Sequence, residues 1–205
     1  MIRSSLIYLA SRSPRRRELL RQIGITFEVV SLREALQRSV DVDETPRSGE
    51  SPEEYVLRVT RDKAQAAVSI VRNRRLAMRP VLAADTTVVC DDTILGKPAD
   101  ATDAARMLGL LAGRPHRVLT AVAVAGDGEV DTRVSESQVW FRALDDGEIR
   151  RYVATGEAID KAGAYAVQGR AAAFITRIEG SYSGIMGLPL AETAELLRSH
   201  GIIVP

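Results

Sequence analysis

The stretch Val118-Leu119-Thr120-Ala121-Val122-Ala123-Val124-Ala125, with the turn Gly126-Asp127-Gly128-Glu129 and a return arm over residues 130–143, decides the fold class. An apolar arm, a glycine-rich reversal and a second arm predict a long antiparallel hairpin. Around it the pattern alternates between strands and helices. Residues 6–10 read as a short buried strand, 14–23 as a helix with Gly24 at its C′ position, and 26–31 as a second strand. Residues 32–50 are polar and irregular, an extended loop. Ser51-Pro52-Glu53-Glu54 opens a helix to about residue 72, with Ser51 as cap, Pro52 in the first position and Glu54 closing a capping box. Its apolar stripe is Val56, Val59, Ala66, Ala67 and Ile70. Residues 80–90 form an apolar run interrupted by Asp85, Asp91-Asp92 makes a turn, and Ile94-Leu95-Gly96-Lys97-Pro98 returns. Thr102 is expected to cap a helix through Leu111, and Asp145-Asp146-Gly147-Glu148 to open another ending near Gly156. Residues 171–178 read as a strand, 180–187 as a Gly/Ser-rich loop, and Pro189 starts the last helix. A long hairpin inside an alternating pattern predicts an α/β fold with a mixed sheet and flanking helices, not a strictly parallel one.

The 205 residues suit a single domain, and 45% hydrophobic against 27% charged residues is an ordinary globular balance. A net charge of +1 with 4% aromatic residues provides neither the field nor the stacking surface of a nucleic-acid-binding protein. One cysteine, Cys90, excludes an internal disulfide and a cysteine-rich zinc site, and two histidines argue against a multi-histidine metal site. No run approaches a membrane span and no signal peptide is recognisable, so the expected location is cytoplasmic, with no membrane partner. Carboxylates, lysines and arginines are left to carry any chemistry.

They concentrate first at Ala10-Ser11-Arg12-Ser13-Pro14-Arg15-Arg16-Arg17. Ser13 is a suitable N-cap and Pro14 a suitable first helical residue. Three arginines then crowd the first turn, where the helix already carries partial positive charge. Bound anion would relieve that concentration, so serine hydroxyls, free N–H groups and guanidinium forks together describe a phosphate site. Asp85 is a carboxylate in a buried run, a candidate general base or metal ligand. Lys63 falls on the apolar stripe of its helix and needs a partner there. Lys97 follows Gly96, which lets a ligand approach, and Glu44 sits in an acidic loop. Gly180-Ser181-Tyr182-Ser183-Gly184 lacks the ending of a Walker loop, Asp91-Asp92 reads as a turn, and Cys90 as a small buried apolar residue. Cations for several phosphate oxygens, with one or two carboxylates to hold a divalent cation or activate water, are the means of hydrolysing a phosphoanhydride.

These residues, taken in order, resemble the Maf family of nucleoside triphosphate pyrophosphatases. The resemblance lies in Leu9-Ala10-Ser11-Arg12-Ser13-Pro14-Arg15-Arg16, Arg61-Asp62-Lys63-Ala64, Ala84-Asp85-Thr86, Ile94-Leu95-Gly96-Lys97-Pro98, Asp160-Lys161-Ala162-Gly163-Ala164-Tyr165, Gln168-Gly169 and Gly187-Leu188-Pro189-Leu190, spread over nearly the whole chain. It implies a bent mixed sheet with two lobes around a central cleft, similar to inosine triphosphatase-like proteins. It further implies hydrolysis of dTTP and UTP, with modified pyrimidine nucleotides as further candidates, to the monophosphate and pyrophosphate with a divalent cation, Mg²⁺ or Mn²⁺. Asp85 matches the family's proton acceptor. Ser11, Arg15, Arg16, Lys63 and Lys97 match its phosphate-binding set, and Glu44 with Asp85 its metal-holding carboxylates. Arg15, Thr86 and Gln168 match positions tied to substrate choice. Related proteins are often dimers, which makes a homodimer the assembly to test. Residues 32–43 are longer than the family's usual link to the Val-Asp-Glu motif, and Ala171-Ala172-Ala173 stands where glycines are frequent. The alternatives are a nucleotide-binding regulator of septum formation without turnover, and the variant of the same chemistry acting on 7-methyl-GTP.

Overall fold

The structure, a computed structural model, describes residues 6–32, 41–126 and 128–204. Residues 33–40 of the polar loop and Asp127 of the hairpin turn lie outside them. The described elements are β1 (Leu6–Leu9), α1 (Pro14–Gln22), β2 (Thr26–Val29), α2 (Pro52–Asn73), β3 (Val81–Cys90), β4 (Thr93–Leu95), α3 (Ala101–Leu111), β5 (Pro115–Ala125), β6 (Val130–Phe141), α4 (Asp146–Val153), β7 (Ile175–Glu179), α5 (Tyr182–Ile185) and α6 (Leu190–Ser199). Short 3₁₀ turns occupy Ala162–Ala164 and Arg170–Phe174.

The strands form one mixed sheet in the order β2-β1-β3-β5-β6-β7. β1 pairs in parallel with β2 and β3, while β3–β5, β5–β6 and β6–β7 are antiparallel. The expected hairpin is β5–β6, with Ala125 opposite Val130 and Pro115 opposite Trp140. It makes the sheet mixed, as the pattern predicts. None of the described helices is long and apolar enough to cross a membrane.

Side chains of a strand alternate between faces, and this alternation sorts the core. On one face, Leu82, Ala84, Val122 and Val124 pack with Leu19 and Leu20 of α1 and Leu196 and Leu197 of α6. Farther along the same face, Val88, Cys90 and Val118 pack with Leu108 and Leu111 of α3 and Ile149 and Tyr152 of α4. The opposite face is covered by α2. One end of this helix supplies Tyr55, Val56 and Val59 against Val89, Leu119 and Ala121, and the other supplies Ala64, Ala67, Val68 and Val71 against Val81, Ala83 and Ala123. Each face is therefore split into two apolar halves with a polar seam between them. Thr86 and Thr120 form the seam on one face, and Asp85 forms it on the other.

Several local readings are corrected. Asp85 breaks the apolar run in composition only: it is buried within one continuous strand, β3, from Val81 to Cys90. Asp100, not Thr102, caps α3, its carboxylate accepting from the Asp103 N–H at 2.8 Å. Ser13 occupies the N-cap position of α1 but makes no side-chain cap; its own N–H is held by Ser11 Oγ at 3.2 Å. On α2 the inward residues include Ala64, Val68 and Val71, while Ala66 and Ile70 are only half-buried. Residues 171–174 turn as 3₁₀ before β7, because Glu157 captures the N–H groups of Arg170 and Ala171. The Gly/Ser-rich loop contains the single turn α5, capped by Ser181 on the Gly184 N–H at 3.0 Å.

Candidate active site

The site starts from a gap in strand pairing. β5 occupies one edge of β3 from Val81 to Val89. β1 pairs on the other edge only as far as Leu82, and β4 joins that edge only from Val88. Among the described strands, none pairs with β3 over residues 83–87 on that side. Asp85 and Thr86 stand in the middle of the gap, one on each face of the sheet. Ser11 and α1 leave β1 at one end of it, and the β4 return delivers Gly96 and Lys97 at the other.

On the α2 face, the seam is ionic. Asp85 is 8% exposed, and its Oδ1 accepts from Lys63 Nζ at 2.7 Å. The same ammonium lies 3.0 Å from Glu44 Oε1, on a half-exposed side chain. Lys63 is thus the partnered inward lysine that its place on the helix demands. Burial works against its charge, but Asp85 and Glu44 outweigh this and raise its pKa above the ordinary lysine value. Tyr55 closes the far side by donating its hydroxyl to the Glu44 carbonyl at 3.0 Å; burial, then Asp85 and Glu44, push its pKa up.

On the α1 face, the seam is a hydrogen-bonded frame. Arg16 donates Nε to the Gly187 carbonyl at 2.7 Å, Nη1 to Ser11 Oγ at 3.3 Å and Nη2 to Thr86 Oγ1 at 3.2 Å. Thr120 is fully buried beneath it, its hydroxyl 3.0 Å from Thr86 Oγ1 and 2.8 Å from the Gly184 carbonyl. Gly187 has φ +109, and a Cβ there would stand 3.6 Å from Arg16 Nε. Its positive φ, more than lack of space, calls for glycine. Burial lowers the Arg16 pKa, with Asp85 pulling the other way. Arg16 on one face and Asp85 on the other therefore share one electrostatic site.

The remaining expected residues lie farther out. Arg15 is half-buried; burial lowers its pKa, and Asp160 opposes this. Lys161 beside it is lowered by burial and then by Arg15, so two cations crowd that corner. Lys97 and Gln168 are exposed and make no hydrogen bond or ion pair with the described residues. Their loops are nevertheless tied together. Gly163, at φ +67, donates its N–H to the Gly96 carbonyl at 3.1 Å, and a Cβ on it would overlap Val88 at 2.8 Å.

Ser11, Arg16 and Thr86 are therefore in contact, as are Lys63, Asp85 and Glu44; Arg15 lies near enough to Arg16 to disfavour its charge, while Lys97 and Gln168 form no hydrogen bond or ion pair with either group. Thr120, Tyr55 and the carbonyl of Gly187 belong to the site and were not anticipated. Thr120 had a visible signal, a polar residue within the apolar run 118–125, the same signal that marks Asp85. Gly187 had only its place in the motif Gly187-Leu188-Pro189-Leu190, which gives no hint of its role because only its backbone acts. Arg17 donates to the Arg12 carbonyl at 2.7 Å, away from the frame.

The donors suit a divalent cation. Two carboxylates converge on one positive charge, the Lys63 ammonium, within 3.0 Å. No cluster of three His, Cys, Asp or Glu occurs among the described residues. One or two carboxylates completed by phosphate oxygens and water is the usual arrangement for Mg²⁺.

Residues 6–200 match a family model described as Maf-like protein. A protein of Aromatoleum aromaticum named dTTP/UTP pyrophosphatase is 58% identical over 196 residues, covering 95% of each chain. Proteins of the same name from Dechloromonas aromatica and Nitrosomonas europaea are 53% and 54% identical, covering 95% and 97% of this chain and 97% and 96% of theirs. Among solved structures, the Ham1 protein of Staphylococcus aureus aligns with a TM-score of 0.48 and 14% identity, over 95% of this chain and 97% of that one.

Proposed function

The chain belongs to the Maf family, and from that premise we propose that it hydrolyses dTTP and UTP to the nucleoside monophosphate and pyrophosphate. The observation that carries this is the pairing gap of β3, which sets the three-donor fork of Arg16 beside the Lys63–Asp85–Glu44 cluster. Relatives with more than half of their residues identical bear the name of that activity.

In the proposed reaction, water attacks the α-phosphorus. The new bond joins the water oxygen to that phosphorus, the bond to the α,β-bridging oxygen breaks, and pyrophosphate leaves. Asp85 accepts the proton of the attacking water. Arg16 is already fixed by Gly187, Ser11 and Thr86, so it meets phosphate charge without losing further side-chain freedom. Ser11 supplies its hydroxyl at the same place. Arg15 and Lys97 reach in as well, and Lys63 spreads the charge that gathers between Asp85 and the triphosphate. Thr86, Gln168 and Arg15 set which base is accepted. Glu44 and Asp85 would hold a divalent cation, Mg²⁺ or Mn²⁺, which supplies charge neutralisation and Lewis-acid polarisation of phosphate oxygens.

A panel of canonical triphosphates with 7-methyl-GTP, scored by pyrophosphate release with and without a chelator, tests the proposal. Expected are preferential turnover of dTTP and UTP, and its loss on chelation. Turnover of 7-methyl-GTP alone would overturn the substrate reading, and binding without turnover would favour a non-catalytic regulator.

A further inference from the structure

Gln168 is exposed and its side chain makes no hydrogen bond or ion pair with the described residues, so the backbone sets where it stands. It lies in a tight turn closed by the Gly169 N–H on the Ala166 carbonyl at 3.0 Å. The next two N–H groups both go to one carboxylate. Glu157 Oε2 accepts from the Arg170 N–H at 3.0 Å, and Oε1 lies 3.4 Å from the Ala171 nitrogen. Oε1 also receives the Tyr152 hydroxyl at 3.0 Å. Tyr152 is buried in the core with α3 and β6 and stacks edge-on with Phe174 at 5.2 Å, so the carboxylate is anchored from below. Gly169 fits against it tightly, since a Cβ there would come within 2.3 Å of Oε1. Glu157 thus joins the base of the Gln168 turn to the rigid core through charge-assisted hydrogen bonds, the stronger kind. It shares no hydrogen bond or ion pair with the Arg16 frame or the Asp85 cluster.

We propose that Glu157 is a positioning residue for base selection: by clamping the Arg170 and Ala171 N–H groups it places Gln168, and it governs which triphosphate is accepted and not how fast the bond is cleaved. The inference rests on the reading of Gln168 as a residue that meets the base. E157Q replaces one acceptor oxygen by a donor facing the N–H groups. Arg170→Pro removes one clamped N–H and leaves Glu157 untouched, at the first position of a 3₁₀ turn where proline is tolerated.

The readout is the ratio of kcat/KM between the best and the worst triphosphate of the wild-type panel, so the clamp is judged whether or not dTTP and UTP turn out to be preferred. For E157Q the ratio should fall about tenfold, carried by KM for the best substrate, with kcat within about threefold of wild type, the pattern of a lost uniform binding interaction. Q168A should show a similar fall, and E157Q placed in the Q168A background should add nothing. Arg170→Pro should move the ratio in the same direction, and it decides the matter if E157Q does not fold. An unchanged ratio in Arg170→Pro and E157Q would overturn the proposal. So would an equal loss of kcat on every triphosphate, or a further fall when E157Q is added to Q168A.

Discussion

Asp85 and Thr86 are neighbours in one strand, yet they face opposite sides of the sheet and meet different kinds of polar partner. On the α2 side the seam is ionic, with one ammonium between two carboxylates at 2.7 and 3.0 Å. On the α1 side it is a frame of hydroxyls, a carbonyl and one guanidinium, with no carboxylate within the set. The ionic side is the more open of the two, because Glu44 is half-exposed, and under the proposed mechanism an incoming cation would replace Lys63 on the same oxygens. The frame is closed to such exchange, since its floor, Thr120, is fully buried and Gly187 admits Arg16 only along its backbone. The difference teaches a division of labour. Under the proposed mechanism, charge that must change during the reaction sits where it can be exchanged, and charge that must wait for phosphate sits in a preorganised frame.

Breaking the ionic side should have the largest effect. Asp85→Asn is near-isosteric and removes the proton acceptor, so turnover of dTTP should fall by about 10³ or more, within the range of general-base catalysis. Circular dichroism should still report a folded protein. Near-normal turnover by this variant would end the assignment.

On the frame side, Arg16→Lys keeps the charge and loses the fork that serves Gly187, Ser11 and Thr86 together. A loss of roughly 10²-fold in kcat/KM is expected, by comparison with removal of one oxyanion donor. If lysine served as well as arginine, preorganisation would not be what this side contributes.

Lys63→Met separates the two roles of the ionic side. It leaves two carboxylates without their shared cation, which raises the cost of keeping them together when no metal is bound. Thermal stability without metal should fall, and added Mg²⁺ should recover more of it than in the wild type. An equal Mg²⁺ response in both proteins would show that the carboxylates do not form the metal site.

Thr120→Val is the mildest probe of the frame. It conserves shape and deletes the hydroxyl beneath Thr86, at a cost of about 1 kcal/mol in stability and a few-fold in KM. A control lies outside both sides. His116 is buried against Phe141 and Tyr165, and its Nε2 is 2.8 Å from the Tyr165 hydroxyl. Burial pushes its pKa down to about 4. The unfolded chain binds a proton near pH 6.5 and the folded chain does not, so stability is full above that pH and is lost as pH falls toward 4, on the order of 3 kcal/mol in all. His116→Gln should flatten the melting temperature between pH 6.5 and 4.5 and leave the pH dependence of kcat unchanged.

Much of the fold was legible because its signals are local. The capping box of Ser51 and Glu54, the glycine at 24 and the Gly-rich reversal at 126–129 each act within a few residues, and the structure contains each of them or the element it marks. Local signals also misled. The alanines of 171–173 and the isoleucine at 175 read as one strand, but Glu157, 13 positions before Arg170, turns the first part into 3₁₀. Thr102 looked like a cap, yet Asp100 two residues earlier had its oxygen within reach of the right N–H.

In the site, sequence determined the chemical types and their order: a lysine on an apolar stripe, a carboxylate in a buried run and arginines at a helix start. Each is a residue whose polarity conflicts with its surroundings, and that conflict can be read from a single chain. Tertiary structure alone decided that β1 stops at Leu82 and β4 begins at Val88, leaving the gap, and that Arg16 finds a carbonyl 171 positions away at Gly187. Strand alternation is a short-range rule, so it fixes which face a residue takes. Pairing across the chain depends on how every element packs at once, and no local pattern encodes it.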